Sequence, residues 1–340
     1  MRNYWYCFPT SHFSEAHNNV RALQSSKMIR SSGFLSLIDV FWSFLALAFL
    51  AAFCAHKISP RLPKGLETFR VYVLFQDLIR FGKTKHPKRD DWLRLFDVPK
   101  RWFWHFYAVS ACWNGFLLVL YLNFTSQKTY PPWLSGLLDI LTGAPSPDTQ
   151  VPQLVTVLVQ LLLFSHSLRR LQECLFVSVF SDGAIHLVQY VFGLVYYIMI
   201  GLTVLASDRL EKGTRPLLSQ LDWFHVAGSA LFIMASFMQH QCMVQLAGLR
   251  TGKSGSVETL AHRLPEGGWF NLVSCPHYFS ELLLYISLSL TYGGVSLTWW
   301  LVFLYVLFSH ALSAQLCQEF YISKYESYPR NRKALIPFVL

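Results

Sequence analysis

The sequence predicts an all-α integral membrane protein with about seven transmembrane helices. Of its 340 residues, 53% are hydrophobic and only 14% are charged, whereas soluble proteins average about 45–50% and about 25%. Several apolar runs reach the roughly 20 residues that a helix needs to cross a bilayer. Because a soluble domain of this length does not need so many long apolar runs, we expect most of the chain to lie in a membrane.

Seven apolar runs predict the helices in chain order. They cover 34–55, 102–124, 151–174, 184–206, 221–249, 278–292 and 297–318. The run 71–82 is too short to span a bilayer, so we expect a re-entrant or interfacial helix in the first cytosolic loop. The proline-rich segment after the second run predicts a turn-rich loop. Residues 1–32 lack periodicity, and we expect a poorly ordered head in front of one transmembrane domain at 33–340.

Lys and Arg residues are distributed unevenly between the loops of the two sides. The loop 56–102 holds 12 of the 29 Lys and Arg residues, and cytosolic loops carry an excess of these residues. A cytosolic position for this loop places 21 of the 29, and the C-terminus, on the cytosolic side. The net charge of +10 then reflects topology. Since the chain has no basic groove interleaved with aromatic residues, we do not expect nucleic acid as a partner.

The seven cysteines predict neither a disulfide framework nor a metal site. They are scattered, form no CxxC pair and lie mostly within apolar runs. Closely spaced cysteines are the usual signature of zinc sites, and evenly numbered, regularly spaced ones of disulfide frameworks. We therefore expect the cysteines to be small buried hydrophobic residues, and we expect no metal.

Polar residues inside the apolar runs are the main functional signal. An ionisable side chain within a membrane helix costs about 2.5–3.5 kcal/mol on insertion scales. His166, Arg169, Arg170 and Glu173 share one helix face, because their spacing is i, i+3, i+4 and i+7; Glu281 lies in another apolar run. The alternative interpretation is interfacial anchoring by snorkelling side chains. We favour a site for these residues, since hydrogen-bonding partners recur at helical spacing.

The segment HRLPEGGWFNLVSCPHYFSELLLY (262–285) and the basic tail predict a pocket for a phosphate-bearing cofactor at the cytosolic end of the helices. In the tail SKYESYPRNRKALIPFVL, Arg330 and Arg332 are suited to phosphates, which Arg binds bidentately. Anchoring at the membrane surface is the other interpretation of the tail. The chain has no Walker loop and no GxGxxG motif after a strand, so helices must hold the cofactor.

These motifs resemble the steroid 5α-reductase family. The resemblance rests on 262–285, on the tail from Phe320, and on FQDLIRFGKTK (75–85), FDVPKRWFWHFY (96–107) and HSLRRLQECLFVSVFS (166–181). The last three are similar to its polyprenol (polyprenal) reductase branch. The resemblance implies a reductase of the endoplasmic reticulum membrane that uses NADPH to saturate the α-isoprene unit of a polyprenoid lipid. That step leads to dolichol for protein N-glycosylation.

The resemblance also implies site residues. The family's catalytic Gln-Glu pair falls on Gln76 and Asp77, and its catalytic Tyr falls on Ser167. His166 and Asp77 are therefore the candidate proton donors. We expect NADPH to bind mainly to 239–340. The residues predicted to bind it are Arg170, Gln239, Arg250, Arg263, His277, Tyr278, Glu281, Tyr321, Arg330 and Arg332.

The chemistry of hydride addition favours one form of the substrate. Hydride adds poorly to an isolated or allylic-alcohol alkene, because the negative charge has nowhere to go. In an α,β-unsaturated aldehyde the charge moves to the carbonyl oxygen, where one positioned donor is worth about 2.7–4 kcal/mol. We therefore expect polyprenal, dissolved among membrane lipids, as the direct substrate. The alternatives are reduction of a 3-oxo-Δ4-steroid, a membrane methyltransferase, and a seven-helix receptor or transporter.

Overall fold

The computed structural model describes residues 35–59, 69–86, 89–127, 130–143, 153–210, 216–252 and 254–340. The predicted N-terminal head, residues 1–32, lies outside this part of the chain. Leu37–Leu340 form one compact unit. Its described residues are mostly α-helical, with one two-stranded sheet and several short turns of other helix types.

Each of the seven predicted helices is present near its predicted position. The long helices are α1 (Leu37–Ile58), α4 (Trp104–Gln127), α6 (Leu154–Gln172), α7 (Leu187–Leu210), α8 (Trp223–Gly248), α9 (Pro276–Thr291) and α10 (Leu297–Lys324). The shorter helices are α2 (Arg70–Leu78), α3 (Asp91–Arg94) and α5 (Pro132–Thr142). Helix α2 agrees with the short, non-spanning helix expected in the first loop.

Among the described residues, five helices are long and apolar enough to cross a membrane: α1, α4, α6, α7 and α10. This finding confirms the all-α membrane class. Helix α8, with 26 residues, and helix α9, with 16, do not reach the same measure of length and apolarity. The number of seven crossings therefore stays a prediction.

Helix α5 was not expected, because the proline-rich segment 131–147 predicts a turn-rich loop. The structure shows that prediction to be wrong for its first half. Pro132 occupies the first turn of α5, where proline is favoured because its missing N–H has no intrahelical partner. Gly143, with φ 70°, ends the helix in the left-handed conformation that glycine adopts readily.

A small antiparallel sheet joins the first loop to the loop after α6. Strand β1 (Asp97–Pro99) pairs with β2 (Ala184–His186), so that Asp97 lies opposite His186. Beyond the sheet, the N–H of Lys100 donates to the Gly183 carbonyl at 2.8 Å. The loop before β2 follows a π-helical turn, Glu173–Val177, which continues α6. Such turns widen an α-helix and are frequent at functional sites.

Buried polar side chains connect the long helices to one another. Trp42 Nε1 on α1 donates to Thr203 Oγ1 on α7 at 3.0 Å. Near the opposite end of the helices from the sheet, Asp208 Oδ1 accepts hydrogen bonds from Tyr121 and Thr156, each at 2.7 Å. The Trp42 and Asp208 side chains are thus satisfied by neighbouring helices, which a lipid environment favours.

Helices α8 and α9 pack most extensively on each other among the described elements. A Cβ added at Gly228 of α8 would lie 2.2 Å from Thr291 Oγ1 and 2.9 Å from the Ser287 carbonyl oxygen of α9. Small residues permit this kind of close helix approach in membrane proteins. The distance between α8 and α9 therefore depends on the glycine.

We predict that Gly228→Ala lowers the free energy of unfolding by about 1–3 kcal/mol, because the added methyl group overpacks the contact between α8 and α9. The melting temperature of the purified protein in detergent should fall accordingly. Gly136→Ala in α5 is the matched control, since a Cβ there meets nothing within 4 Å. Equal melting temperatures for the two variants would contradict the prediction.

Candidate active site

A cavity of about 330 Å³ lies among α4, α6, α7, α8, α9 and α10 and the loops at their ends. Ligand pockets typically have volumes of about 300–1,000 Å³. Eight α10 residues line it, and five of them follow at every fourth position: Tyr305, Ser309, Ser313, Cys317 and Tyr321. At 1.5 Å per residue the cavity extends about 24 Å along α10. It is therefore elongated, and its two ends differ in charge.

One end of the cavity, called the basic end here, collects Lys, Arg and His side chains from two loops, the one between α1 and α4 and the one between α8 and α9. Its residues are Lys83, Lys100, Arg250, His262 and Arg263. Lys83 Nζ donates to Tyr321 OH at 2.7 Å and lies 3.9 Å from the centre of that ring. Among the lining residues of the described chain, Glu281 is the one carboxylate, so the basic end has no anion of its own. The arrangement attracts an anionic ligand.

His262 is held in its neutral form at the basic end. Burial and the neighbouring Arg250 lower the pKa of His262 to about 3, and Lys83 and Lys100 act in the same direction. One N–H of Arg250 points at His262 Nδ1 at 2.7 Å, an arrangement that a neutral imidazole accepts. Burial also lowers the pKa of Arg250. Both shifts show the cost of placing several cations in one poorly hydrated space.

The other end, called the carboxylate end here, is formed by Tyr107, Arg170, Gln239 and Glu281. Gln239 Nε2 donates to Glu281 Oε2 and, at 3.3 Å, to the His277 carbonyl. Its Oε1 accepts from Arg169 at 2.5 Å, so the orientation of the amide group is fixed. Both Nε and Nη2 of Arg170 donate to Tyr107 OH at 3.3 Å.

Glu173 connects these groups from behind the cavity wall. Its carboxylate is 2% exposed and accepts from Arg169 Nη1 at 2.6 Å, from Arg170 Nη1, and from His240 Nδ1 at 2.9 Å. The π-helical turn that begins at Glu173 directs this side chain toward both arginines. The face of α6 that sequence spacing singled out is thus a buried hydrogen-bonded network.

Comparison with known proteins identifies the family to which this chain belongs. A sequence profile of the 3-oxo-5-alpha-steroid 4-dehydrogenase family matches residues 184–340. The chain is 52% identical over 310 residues to the polyprenal reductase of Danio rerio, covering 90% of this chain and 99% of that protein. It is 46% identical over 313 residues to the polyprenal reductase of Homo sapiens, covering 90% and 96%. The chain belongs to the steroid 5α-reductase family, in its polyprenal reductase branch.

The cavity of this family member contains most of the residues predicted to bind the cofactor. Those that line it are Arg170, Gln239, Arg250, Arg263, His277, Tyr278, Glu281 and Tyr321. They come from α6, α8, α9, α10 and the loop 249–275, so they are close only in the folded chain. His166 does not line the cavity: it lies behind Glu281, with Nε2 3.6 Å from Glu281 Oε1.

Arg330 and Arg332 are not among the residues that line the cavity. Arg332 is 3% exposed, donates to the Pro265 carbonyl at 3.0 Å and lies over the Tyr328 ring. The neighbouring Lys333 carbonyl accepts from the Ser274 N–H at 2.8 Å. The tail therefore holds the loop before α9, and its arginines do not reach the site of the expected phosphates.

Gln76 and Asp77 also lie outside the cavity lining. Asp77 Oδ2 accepts from Lys85 Nζ at 2.8 Å, and Arg89 Nε lies 2.6 Å from Oδ1. Gln76 accepts hydrogen bonds from Arg80 through its side chain and its backbone carbonyl. The structure thus uses this pair to fix the loop that carries Lys83, and it does not bring Asp77 to Glu281.

Asp97 completes this network at the start of β1. Arg89 Nη1 contacts Asp97 Oδ2 at 2.6 Å. Burial alone would raise the pKa of Asp97, but the hydrogen bond from Arg89 and the charge of Lys85 outweigh it, and the pKa is lowered. A lowered pKa means that the stabilisation is complete above the ordinary aspartate pKa and is lost only as the pH falls below it.

Sequence reasoning missed Lys83, Lys100, Tyr107 and His262 as site residues. Lys100 enters the cavity by passing over Gly82, whose φ is +55° and where a Cβ would lie 2.8 Å from Lys100 Nζ. For Lys83, the sequence offered one signal, the segment Gly82-Lys83-Thr84 after a short helix. Lys100, Tyr107 and His262 carry no local pattern, because each is one polar residue in a loop or an aromatic-rich segment.

We predict that Asp77→Asn lowers the free energy of unfolding by up to about 3–5 kcal/mol, because it leaves two buried cations, Lys85 and Arg89, to share the one carboxylate of Asp97. Limited trypsin digestion should then cut the segment 79–90 faster than in the wild-type protein. Asp91→Asn is the control, since the Asp91 side chain is 99% exposed. Unchanged melting temperature and cleavage in Asp77→Asn would show that the network does not hold this loop.

Proposed function

We propose that this protein uses NADPH to reduce the α-isoprene double bond of polyprenal, giving dolichal for dolichol synthesis and protein N-glycosylation. The main support is one elongated cavity that joins a cationic end without an anion to a carboxylate end walled by tyrosines. The polyprenal reductases that are 46–52% identical to the chain support the same substrate.

The lining residues are chemically suited to NADPH. Lys83, Lys100, Arg250 and Arg263 would hold its phosphates, Arg through paired N–H groups. The Glu281 carboxylate, whose orientation Gln239 fixes, offers an acceptor for the N–H of a carboxamide. Two buried polar atoms in the lining, His277 Nδ1 and Ser178 Oγ, have no partner among the described residues. Such atoms are costly unless a ligand or water satisfies them.

The tyrosine-rich part of the cavity is suited to an isoprenoid aldehyde. Tyr196, Tyr197, Tyr285 and Tyr305 line it together with Val306, which gives an apolar wall with a few hydroxyl groups. When bound, the reduced nicotinamide would supply a hydride to the β-carbon of the enal. The protein excludes bulk water and keeps the carbonyl group near fixed donors, where developing charge is stabilised most.

We further propose an endoplasmic reticulum membrane location with the C-terminus in the cytosol. The excess of Lys and Arg in the loops at one end of the helices supports this orientation. It would place the basic end of the cavity on the cytosolic side. NADPH could then enter from the cytosol while the lipid enters from the bilayer.

The first test compares substrate forms. Purified protein with NADPH should reduce polyprenal, whereas pure polyprenol should be turned over at a negligible rate, because its alkene cannot delocalise the added charge. Products are followed by mass spectrometry, with a 3-oxo-Δ4-steroid as a second substrate. Comparable turnover of polyprenol would rule out the aldehyde as the necessary form. Preference for the steroid would favour the alternative activity.

The second test concerns the phosphates. Lys100→Ala should raise the KM for NADPH about 10- to 100-fold, since a hydrogen bond to a charged group is worth about 1.5–3 kcal/mol. NADPH should also raise its melting temperature less than that of the wild-type protein. The adjacent Arg101→Ala is the matched control, because the Arg101 side chain is 71% exposed. A Lys100→Ala enzyme with unchanged NADPH affinity would refute the assignment of the basic end.

A further inference from the structure

We propose that Tyr107 is a catalytic residue, which donates a hydrogen bond from its phenol to the carbonyl oxygen of the enal. The inference rests on the proposed function and names the donor that this reaction requires. It differs from the sequence-based expectation, in which Asp77 or His166 has this role.

The oxygen of Tyr107 already accepts hydrogen bonds, and its O–H group still has a proton to donate. Its oxygen accepts two N–H groups of Arg170, each at 3.3 Å, and the guanidinium carbon lies 5.0 Å from the ring centre. Because both of these hydrogen bonds enter the oxygen, the O–H remains to be donated. Tyr107 lines the cavity beside Glu281 and Gln239, where its O–H can be donated to the neighbouring Tyr197 hydroxyl or to a ligand.

Arg170 also makes the phenol a stronger donor. A hydroxyl that accepts from a cation is polarised, and its own hydrogen bond is strengthened. Arg170 is fixed by its ion pair with Glu173, so the cation does not have to reorganise during the reaction. Preorganised donors of this kind account for much of the stabilisation of developing oxyanions.

The rival donors are engaged elsewhere. Ser167 is 2% exposed; its hydroxyl donates to the Leu163 carbonyl at 2.8 Å and lies 2.6 Å from Ser110 Oγ. His166 and Asp77 do not line the cavity. Among the other lining tyrosines, the hydroxyl groups of Tyr196 and Tyr285 bond to each other.

Tyr321 is the other lining tyrosine whose hydroxyl contacts a cation among the hydrogen bonds of the described residues. Its partner is Lys83 at the basic end, where the phosphates are proposed to lie. Tyr107 is instead one turn before Ser110 on α4, next to the carboxylate end. Position along the cavity therefore separates the two phenol groups. Tyr107 packs against the tyrosine-rich part proposed for the aldehyde, with its ring centre 5.4 Å from that of Tyr197.

The reaction step balances with Tyr107 in this role. The hydride that bound NADPH would supply, leaving NADP⁺, forms a C–H bond at the β-carbon as the C=C π electrons move toward the carbonyl, and the oxygen gains the negative charge of an enolate. The O–H of Tyr107 stabilises that oxygen by a hydrogen bond. The α-carbon then takes a proton from water, which restores the aldehyde. The substrate gains one hydride and one proton in total.

The test compares Tyr107→Phe with His166→Gln and Ser167→Ala in purified, full-length protein. Tyr107→Phe should lower the single-turnover rate with saturating polyprenal and NADPH by about 10²- to 10³-fold. Its melting temperature should still rise with NADPH as in the wild type, because the phosphate contacts are intact. The other two variants should lose far less of the rate.

A spectroscopic measurement tests the same contact without turnover. Polyprenal with a ¹³C-labelled aldehyde is bound in the presence of NADP⁺, and its carbonyl stretch is recorded by difference infrared spectroscopy. The stretch should be lowered by the hydrogen bond in the wild-type complex and should return toward the free value in Tyr107→Phe.

The outcomes separate the two proposals. A wild-type protein that neither binds NADPH nor reduces polyprenal would refute the proposed function itself. An active wild type with an equally active Tyr107→Phe, or with an unchanged carbonyl stretch, would refute only the role of Tyr107. A larger loss of rate in His166→Gln or Ser167→Ala would assign the donor to that residue instead.

Discussion

The carboxylate of Glu173 pairs with both Arg169 and Arg170, and the geometry of the active site depends on this buried contact. Arg169 reaches Gln239, which in turn reaches Glu281. Arg170 reaches Tyr107. Removal of one partner from such a network leaves an uncompensated charge, which is far more costly than the intact pairs. The network therefore specifies one arrangement of α4, α6, α8 and α9 around the cavity.

The basic end and the carboxylate end of the cavity are separate because two loops bring their cationic side chains to the same end of the helices. The first loop delivers Lys83 and Lys100, and the loop after α8 delivers Arg250, His262 and Arg263. The first is fixed by the β1–β2 pair and the ion pairs of Asp77 and Asp97, and the second by the C-terminal tail. Elements without direct contact to the cavity thus determine its electrostatics.

Helix positions could be predicted from the sequence because membrane-length apolar runs are a local property. Helix α5 could not, since Pro132 was interpreted as a turn residue without regard to the role of proline in the first turn of a helix. Eight of the ten cofactor-binding residues that the family resemblance implied line the cavity. Arg332 and Asp77 show the limit of that resemblance. Both are buried charges that serve packing and ion pairing.

The sequence by itself determined the all-α membrane class, the order of the helices and the reductase family, since these follow from composition and from long continuous motifs. Only the tertiary structure decided which charged side chains lie close to one another. Asp77 is bound by Lys85 and Arg89, whereas Lys83, six residues later, faces the cavity. The physical reason is that burial and partner choice depend on contacts between segments far apart in the chain. Electrostatic energies in a poorly hydrated interior then change steeply with those distances.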